Sequence, residues 1–391
     1  MNGKFIPLSV PNLRGRELEY VSHAIETEWV STAGPYVNDF EIKMAGYVRS
    51  QGAVSCQNGT SGLHISLIVC GVTREDEVIV PTLTFIAAVN PVKYIGAEPI
   101  FMDCDDSLTM DPEKLMEFCT SECNFIDGNL INKRTDKIIK ALVVVHVFGN
   151  MADMEKIMVI ADKFNLKVIE DATEALGTKY ISGKYKGKHA GTIGTIGVYS
   201  FNGNKIITTG GGGMIVSDDE ILLNMAKHLT TQAKSDELYF LHDDIGYNYR
   251  MTNLQAALGL AQLEQLDDFI IIKTENYNLY KEKIQSIPGL SLLDFKAGIR
   301  SNYWFYALFC ANEYPIKRDE LIKYLSTKHI QARPVWGLIH EQKPYLNNQT
   351  YRIEKAKYYL EHIVNIPCSS NLTKDNVLYV SACLQERSLL A

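Results

Sequence analysis

The chain has 391 residues, 46% of them apolar, and a formal net charge of −7. That is enough to build a large core, and the length predicts one large α/β domain and one smaller domain. The acidic balance excludes a general attraction to nucleic acid or an anionic membrane, and no apolar run approaches bilayer-spanning length.

In chain order, Gly15 to Thr27 places Leu18, Val21 and Ile25 on one helical face, and Val37 to Val48 reads as a second helix. Strand and helix signals then alternate. Ala53–Cys56 and Glu77–Val80 read as strands, and Ser61–Cys70 and Phe85–Ile95 as helices. Short apolar runs at Pro99–Met102, Leu142–Val147, Val168–Ile169, Gly197–Phe201 and Met214–Val216 predict buried, mostly parallel strands, with Asp153–Phe164 as a crossover helix. Ser121–Asp136 reads as a polar excursion and Gln232–Tyr249 as a loop. Asn253–Leu266 reads as an apolar helix. From about Asp267 a long polar helix, a Pro288-Gly289 turn, an aromatic strand over Tyr303–Phe309, a helix over Arg318–Lys328 and a last helix near Asp375–Leu384 predict an α+β domain. The expected division is residues 1–265, with an N-terminal arm over 1–35, and residues 266–391. The eight cysteines show no zinc spacing, so no metal is expected, and they read as reduced core thiols. With no signal-peptide pattern at the start, the expected location is cytoplasmic.

The chemistry lies in three places. Lys205 stands five residues after Ser200 and shortly before the run Gly210 to Gly213. A lysine that forms an imine must be partly neutral, hence buried, and Ile206 and Ile207 fit that need. A P-loop would place its lysine after the glycines, so these glycines more plausibly let backbone pass close to a flat ligand. Asp171 ends the apolar run Lys167–Asp171, where ligands of open α/β sheets sit, and a carboxylate there can keep a pyridine nitrogen protonated. Gly59-Thr60-Ser61-Gly62 at a helix start offers N–H groups to a phosphate. An imine-forming lysine, a ring-tuning acid and a phosphate site are what pyridoxal phosphate requires.

In this order these elements resemble the sugar-nucleotide aminotransferases of the DegT/DnrJ/EryC1/StrS family. The resemblance also covers Ile6–Pro11, Trp29-Val30-Ser31, Pro81–Phe85, Glu170–Gly177 and Gly246–Met251. It implies a fold-type I pyridoxal-phosphate transferase: a mostly parallel seven-stranded sheet between helices, with a smaller C-terminal α+β domain. It assigns Lys205 as the covalent anchor of the cofactor, Asp171 as partner of the ring nitrogen and Phe85 as the stacking aromatic. Thr60, Ser61 and Ser200 would hold the phosphate, joined by Asn248 from a neighbouring subunit, which implies a homodimer with shared sites. Glu174 departs from the Gln or His common at its position. An ionised carboxylate would repel the cofactor's phenolate, so Glu174 must be protonated, bridged by water or turned away. The stretch Trp29–Val37 looks most like enzymes that aminate UDP-linked 4-keto-6-deoxy-N-acetylhexosamines in legionaminic- and bacillosamine-type pathways, with L-glutamate as donor. A GDP- or dTDP-4-keto-6-deoxyhexose (perosamine-type) acceptor and a non-catalytic cofactor-binding protein are the alternatives. Lys184, Lys186, Lys188, Arg333, Trp336 and His340 are candidates for contact with the nucleotide sugar, although a solvated loop explains the three lysines better.

Overall fold

The computed structural model describes residues 5–236 and 238–389. The first four residues of the expected arm, Glu237 of the expected loop and the last two residues of the expected C-terminal domain lie outside it. Seven strands form the body of the main sheet: β1 (Gly52–Cys56), β2 (Glu77–Pro81), β3 (Glu98–Met102), β4 (Ile138–Val145), β5 (Lys167–Asp171), β6 (Ile196–Ser200) and β7 (Gly213–Ser217). Their order is β1-β7-β6-β5-β4-β2-β3, and only β7 runs antiparallel to its neighbours. Successive residues of a strand point to opposite faces. Val143, Val145, Ile169 and Val198 therefore enter one core, while Leu142, Val144, Val168 and Tyr199 enter the other. Helix α3 (Gly59–Val69) covers the first face, and α2 (Pro35–Val48) and α4 (Met154–Phe164) cover the second. Burial on both faces is why these strands read as continuous apolar runs.

The segment Ser121–Asp136 is more than a polar excursion. Cys123–Ile126 and Asn129–Asn132 form a hairpin that joins the start of β4 through Leu130 and Ile131. Its turn, Asp127-Gly128, takes left-handed φ values of 49° and 77°, the conformation a two-residue hairpin requires. The expected helix Phe85–Ile95 is broken into Ile86–Ala88 and Asn90–Ile95. Pro91, in the first turn of the second piece, lacks the N–H that would bond Ala87 O in a continuous helix. Within Gln232–Tyr249, Lys234–Asp236 pairs with Leu241–His242.

The first helix, α1 (Glu17–Glu26), forms, but its expected apolar face is turned outward: Leu18 is 81% exposed and Ile25 56%. It packs instead through Ala24 and Glu17 against α5 (Asn253–Leu263), where Gln262 Nε2 donates to Glu17 Oε1 at 2.6 Å. Beyond α5, α6 (Leu266–Ile284) leads to a four-stranded antiparallel sheet of Leu290–Leu292, Tyr306–Cys310, Ile363–Ile366 and Arg333–Pro334. The aromatic strand is thus shorter than expected, because Tyr303, Trp304 and Phe305 leave it. Two segments cross between the parts. Thr350–Tyr351 adds to β3, and Ile6, Leu8 and Val10 bond to His329, Gln331, Cys368 and Ser369.

Candidate active site

A cavity of about 350 Å³ opens at the carboxyl ends of β5 and β6, between the main sheet and the segment before Tyr306. Asp171 closes β5 and Ser200 closes β6, so both side chains reach the cavity from the strand ends. Asn58 caps α3: its Oδ1 accepts from Ser61 N at 2.8 Å and from Ser61 Oγ at 3.0 Å. Gly59 packs tightly beneath, where an added Cβ would stand 3.0 Å from Ser200 Cβ and Thr173 Cγ2. The helix start thereby brings Asn58, Gly59 and Thr60 to the cavity wall, while the Ser61 N–H is already spent on the cap.

Lys205 is nearly buried, with 13% of its side chain exposed. Its Nζ lies 3.9 Å from Glu174 Oε1 and 4.2 Å from the centroid of the Trp304 ring. Burial pushes its pKa below the ordinary lysine value, against the opposing charges of Glu174 and Asp171. Burial pushes Asp171 up, and hydrogen bonds from Thr173 and the charge of Lys205 oppose it. Glu174 is pushed up to about 7, chiefly by burial, against Lys205 and an N–H from Phe148 to its Oε2 at 2.8 Å. Burial thus moves Glu174 toward its neutral form, which would not repel a phenolate.

Beneath the site, Glu170 and His146 are fully buried, with His146 Nε2 2.8 Å from Glu170 Oε2. Glu170 also accepts from the N–H groups of Gly191, Ile193 and Gly194. Burial pushes its pKa up, but His146 and these N–H donors outweigh that and hold it below the usual carboxylate value. Ala152 N donates to His146 Nδ1, which leaves the His146 proton on Nε2, and the backbone N–H of His146 donates to Asp171 O. This network fixes the end of β5 and hence the direction of Asp171.

The structure brings Lys205, Asp171, Glu174, Ser200, Thr60, Phe85 and Trp336 to one cavity. Asn248 is exposed and does not line it. Lys184 and Lys186 are not at the cavity either. They sit exposed on a surface turn, with Lys184 N bonded to Glu155, and Lys188 pairs with Asp218 at 3.0 Å. Arg333 is exposed at the edge of the small sheet. His340 is turned away, its Nδ1 2.6 Å from Thr82 Oγ1. Of the four glycines, Gly211 lines the cavity, while a Cβ on Gly213 would come within 2.7 Å of the Asn58 backbone. Sequence reasoning missed Trp304, Phe305, Asn202, Asn204 and Thr173, which also line it. The run Tyr303-Trp304-Phe305 was a signal, but a strand period alone does not say which of its members leaves the sheet.

The donor set fits pyridoxal phosphate. A lysine with a lowered pKa, a buried acid at the cavity floor, an open helix start for an anion and an aromatic face at Phe85 stand around one space. The DegT/DnrJ/EryC1/StrS aminotransferase family model matches residues 11–385. A GDP-perosamine synthase of Escherichia coli O157:H7 is 39% identical over 98% of both chains. One of Caulobacter vibrioides is 35% identical over 97% of this chain and 98% of its own. An aminotransferase from Psychrobacter cryohalolentis superposes with a TM-score of 0.86 at 28% identity, covering 98% of each chain. The chain belongs to the DegT/DnrJ/EryC1/StrS aminotransferase family and is a pyridoxal-phosphate-dependent sugar aminotransferase.

Proposed function

We propose that the enzyme moves an amino group from L-glutamate to the C4 keto group of a GDP-linked 4-keto-6-deoxyhexose. The observation that carries the GDP assignment is the near full-length similarity to two GDP-perosamine synthases. The reading of Trp29–Val37 as a UDP-N-acetylhexosamine signature has weaker support. None of the residues Trp29–Val37 lines this chain's cavity, and Trp29 is 53% exposed with its carbonyl accepting from Asn253 Nδ2.

Pyridoxal phosphate, when bound, supplies an aldehyde that links reversibly to amines and a ring that accepts an electron pair. In this reading Lys205 would hold it covalently, Asp171 would pair with its ring nitrogen, Phe85 would stack on its ring, and Thr60, Ser200 and the start of α3 would take its phosphate. Once the amine of glutamate has taken its place on the cofactor, Lys205 Nζ, whose ammonium form burial disfavours, would remove the proton from Cα of glutamate. In the second half-reaction it delivers a proton to C4 of the sugar. Leu63, Phe85, Ala88, Phe305 and Trp336 exclude water around that amine.

The working unit in this reading is a cytoplasmic homodimer. Two observations support it: Asn248 faces outward, and Leu238, Tyr239, Phe240 and Leu241 beside it are all more than half exposed. The test of the substrate is a panel of GDP-, UDP- and dTDP-linked 4-keto sugars incubated with glutamate, with product stereochemistry read by NMR. A higher kcat/KM for the UDP-linked N-acetylhexosamine than for any GDP-sugar would overturn the assignment.

A further inference from the structure

The carbonyl of Asn204, the residue before Lys205, accepts two hydrogen bonds from distant parts of the chain. Trp304 Nε1 donates to it at 2.8 Å, and Ser9 Oγ, from the N-terminal segment, at 3.2 Å. The same indole lies against the Lys205 amine, with Nζ 4.2 Å from its ring centroid. Trp304 is therefore bound to the lysine at both ends, through the backbone in front of it and through the face beneath its charge.

The local backbone is built to put the indole there. Tyr303 adopts a left-handed φ of 52°, uncommon for a bulky residue and worth a physical account. Buried Asn302 fixes that turn: its Oδ1 accepts from Trp304 N at 3.0 Å, and its Nδ2 donates to Glu174 O at 2.9 Å and Leu176 O at 3.0 Å. The turn that carries Trp304 is thus tied to the loop that carries Glu174. The N-terminal segment is anchored in turn, Leu8 O accepting from Cys368 N and Val10 N donating to Ser369 Oγ.

We propose that Trp304 is a positioning residue for the reacting amine, and that Ser9 shares its hold on the Asn204 carbonyl. The inference rests on Lys205 being the lysine that carries the cofactor. The indole N–H and the Ser9 hydroxyl fix where the lysine backbone stands, and the indole face stabilises the ammonium form through its negative ring potential. The other charged groups around the amine are Glu174 and Asp171 on the sheet side, and Lys273, which lines the small gap behind Lys205 together with Ser9 and Trp304.

The experiment uses full-length wild type, Trp304→Phe, Trp304→Leu and Ser9→Ala. Competitive acylation of the cofactor-free chain from neutral to alkaline pH, with peptide mass spectrometry, reads the apparent pKa of Lys205. The rate of covalent attachment of added pyridoxal phosphate and the Tm are read beside it. Trp304→Leu should lower the apparent pKa by about one unit, since the face that favours the ammonium is gone. Trp304→Phe keeps a face but loses the N–H, so its pKa should stay near wild type while attachment slows about fivefold, as expected for one lost hydrogen bond. Ser9→Ala should slow attachment in the same direction without moving the pKa, and it keeps the test open if Trp304→Leu does not fold. A lowered Tm with the Lys205 titration and attachment rate unchanged would reduce Trp304 to a packing role and overturn the proposal. Borohydride trapping of the cofactor on a lysine other than Lys205 in wild type would instead overturn the reading beneath it.

Discussion

Lys205 Nζ and Glu174 Oε1 stand 3.9 Å apart in a space that is almost closed to water. Neither partner is at ease charged: burial pushes the lysine down and the carboxyl up to about 7. A carboxyl whose folded pKa lies above its unfolded value contributes stability at low pH, and that contribution is lost as pH rises through about 7. Glu174→Gln should therefore stabilise the cofactor-free protein relative to wild type above neutral pH, by up to about 3 kcal/mol, and give no such gain below pH ~4.5. Urea unfolding at the two pH values checks this; an equal shift at both would contradict it.

Lys205→Ala and Asp171→Asn should each lower turnover about 10²–10⁴-fold, the range for a lost acid–base group. They act differently. The lysine variant removes the proton carrier, whereas Asp171→Asn removes the charge opposite the ring nitrogen and leaves Lys205 in place. Single-turnover kinetics with glutamate separates them, because only the lysine variant should regain rate with an added small primary amine.

Glu170 accepts three backbone N–H groups and His146 together. Glu170→Gln turns an amide against those donors, which should cost about 3 kcal/mol or more in denaturant unfolding. A loss of activity without loss of stability would place Glu170 in the chemistry instead.

Two glycines on either side of Lys205, Gly213 and Gly203, should respond differently. A Cβ on Gly213 would meet the Asn58 backbone at 2.7 Å, so Gly213→Ala should push β7 off the start of α3. The expected cost is about 1–3 kcal/mol of stability, with weaker cofactor binding. A Cβ on Gly203 meets nothing within 4 Å, and Gly203→Ala should change stability by no more than about 0.5 kcal/mol. Thermal melts with and without cofactor compare them.

Asn248 lies outside its own chain's cavity, so complementation tests the shared site. Lys205→Ala and Asn248→Ala proteins, mixed and allowed to exchange subunits, should recover up to about a quarter of wild-type turnover, since half of each mixed dimer's sites are intact. No recovery in a mixture shown to exchange would argue for sites complete within one chain.

Much of this protein was legible in its sequence because the relevant signals are local. Strands buried on both faces must be continuously apolar, which revealed the buried, mostly parallel strands of the main sheet. A strand-end acid, a helix start rich in small polar residues and an embedded lysine revealed Asp171, Thr60 and Lys205. Ser61 shows the limit of such signals: the residue type was right for an anion site, but Asn58 competes for its N–H, and a cap is decided by three-dimensional geometry. Likewise α1 has an apolar stripe over Leu18 and Ile25, yet α5 receives the other side.

The sequence alone pointed to pyridoxal-phosphate chemistry, because its ordered local motifs resemble those of the DegT/DnrJ/EryC1/StrS family; the roles proposed for Lys205 and Asp171 follow from that resemblance. Tertiary structure decided which side chains share the cavity. Residues about 100 and 200 positions from Lys205, Trp304 and Ser9, meet at one carbonyl beside it, while Lys184 and His340 do not line this chain's cavity. Charge state was also decided there: the burial that moves Lys205 and Glu174 toward their neutral forms comes from the packing of separate elements around them, which no local spacing encodes.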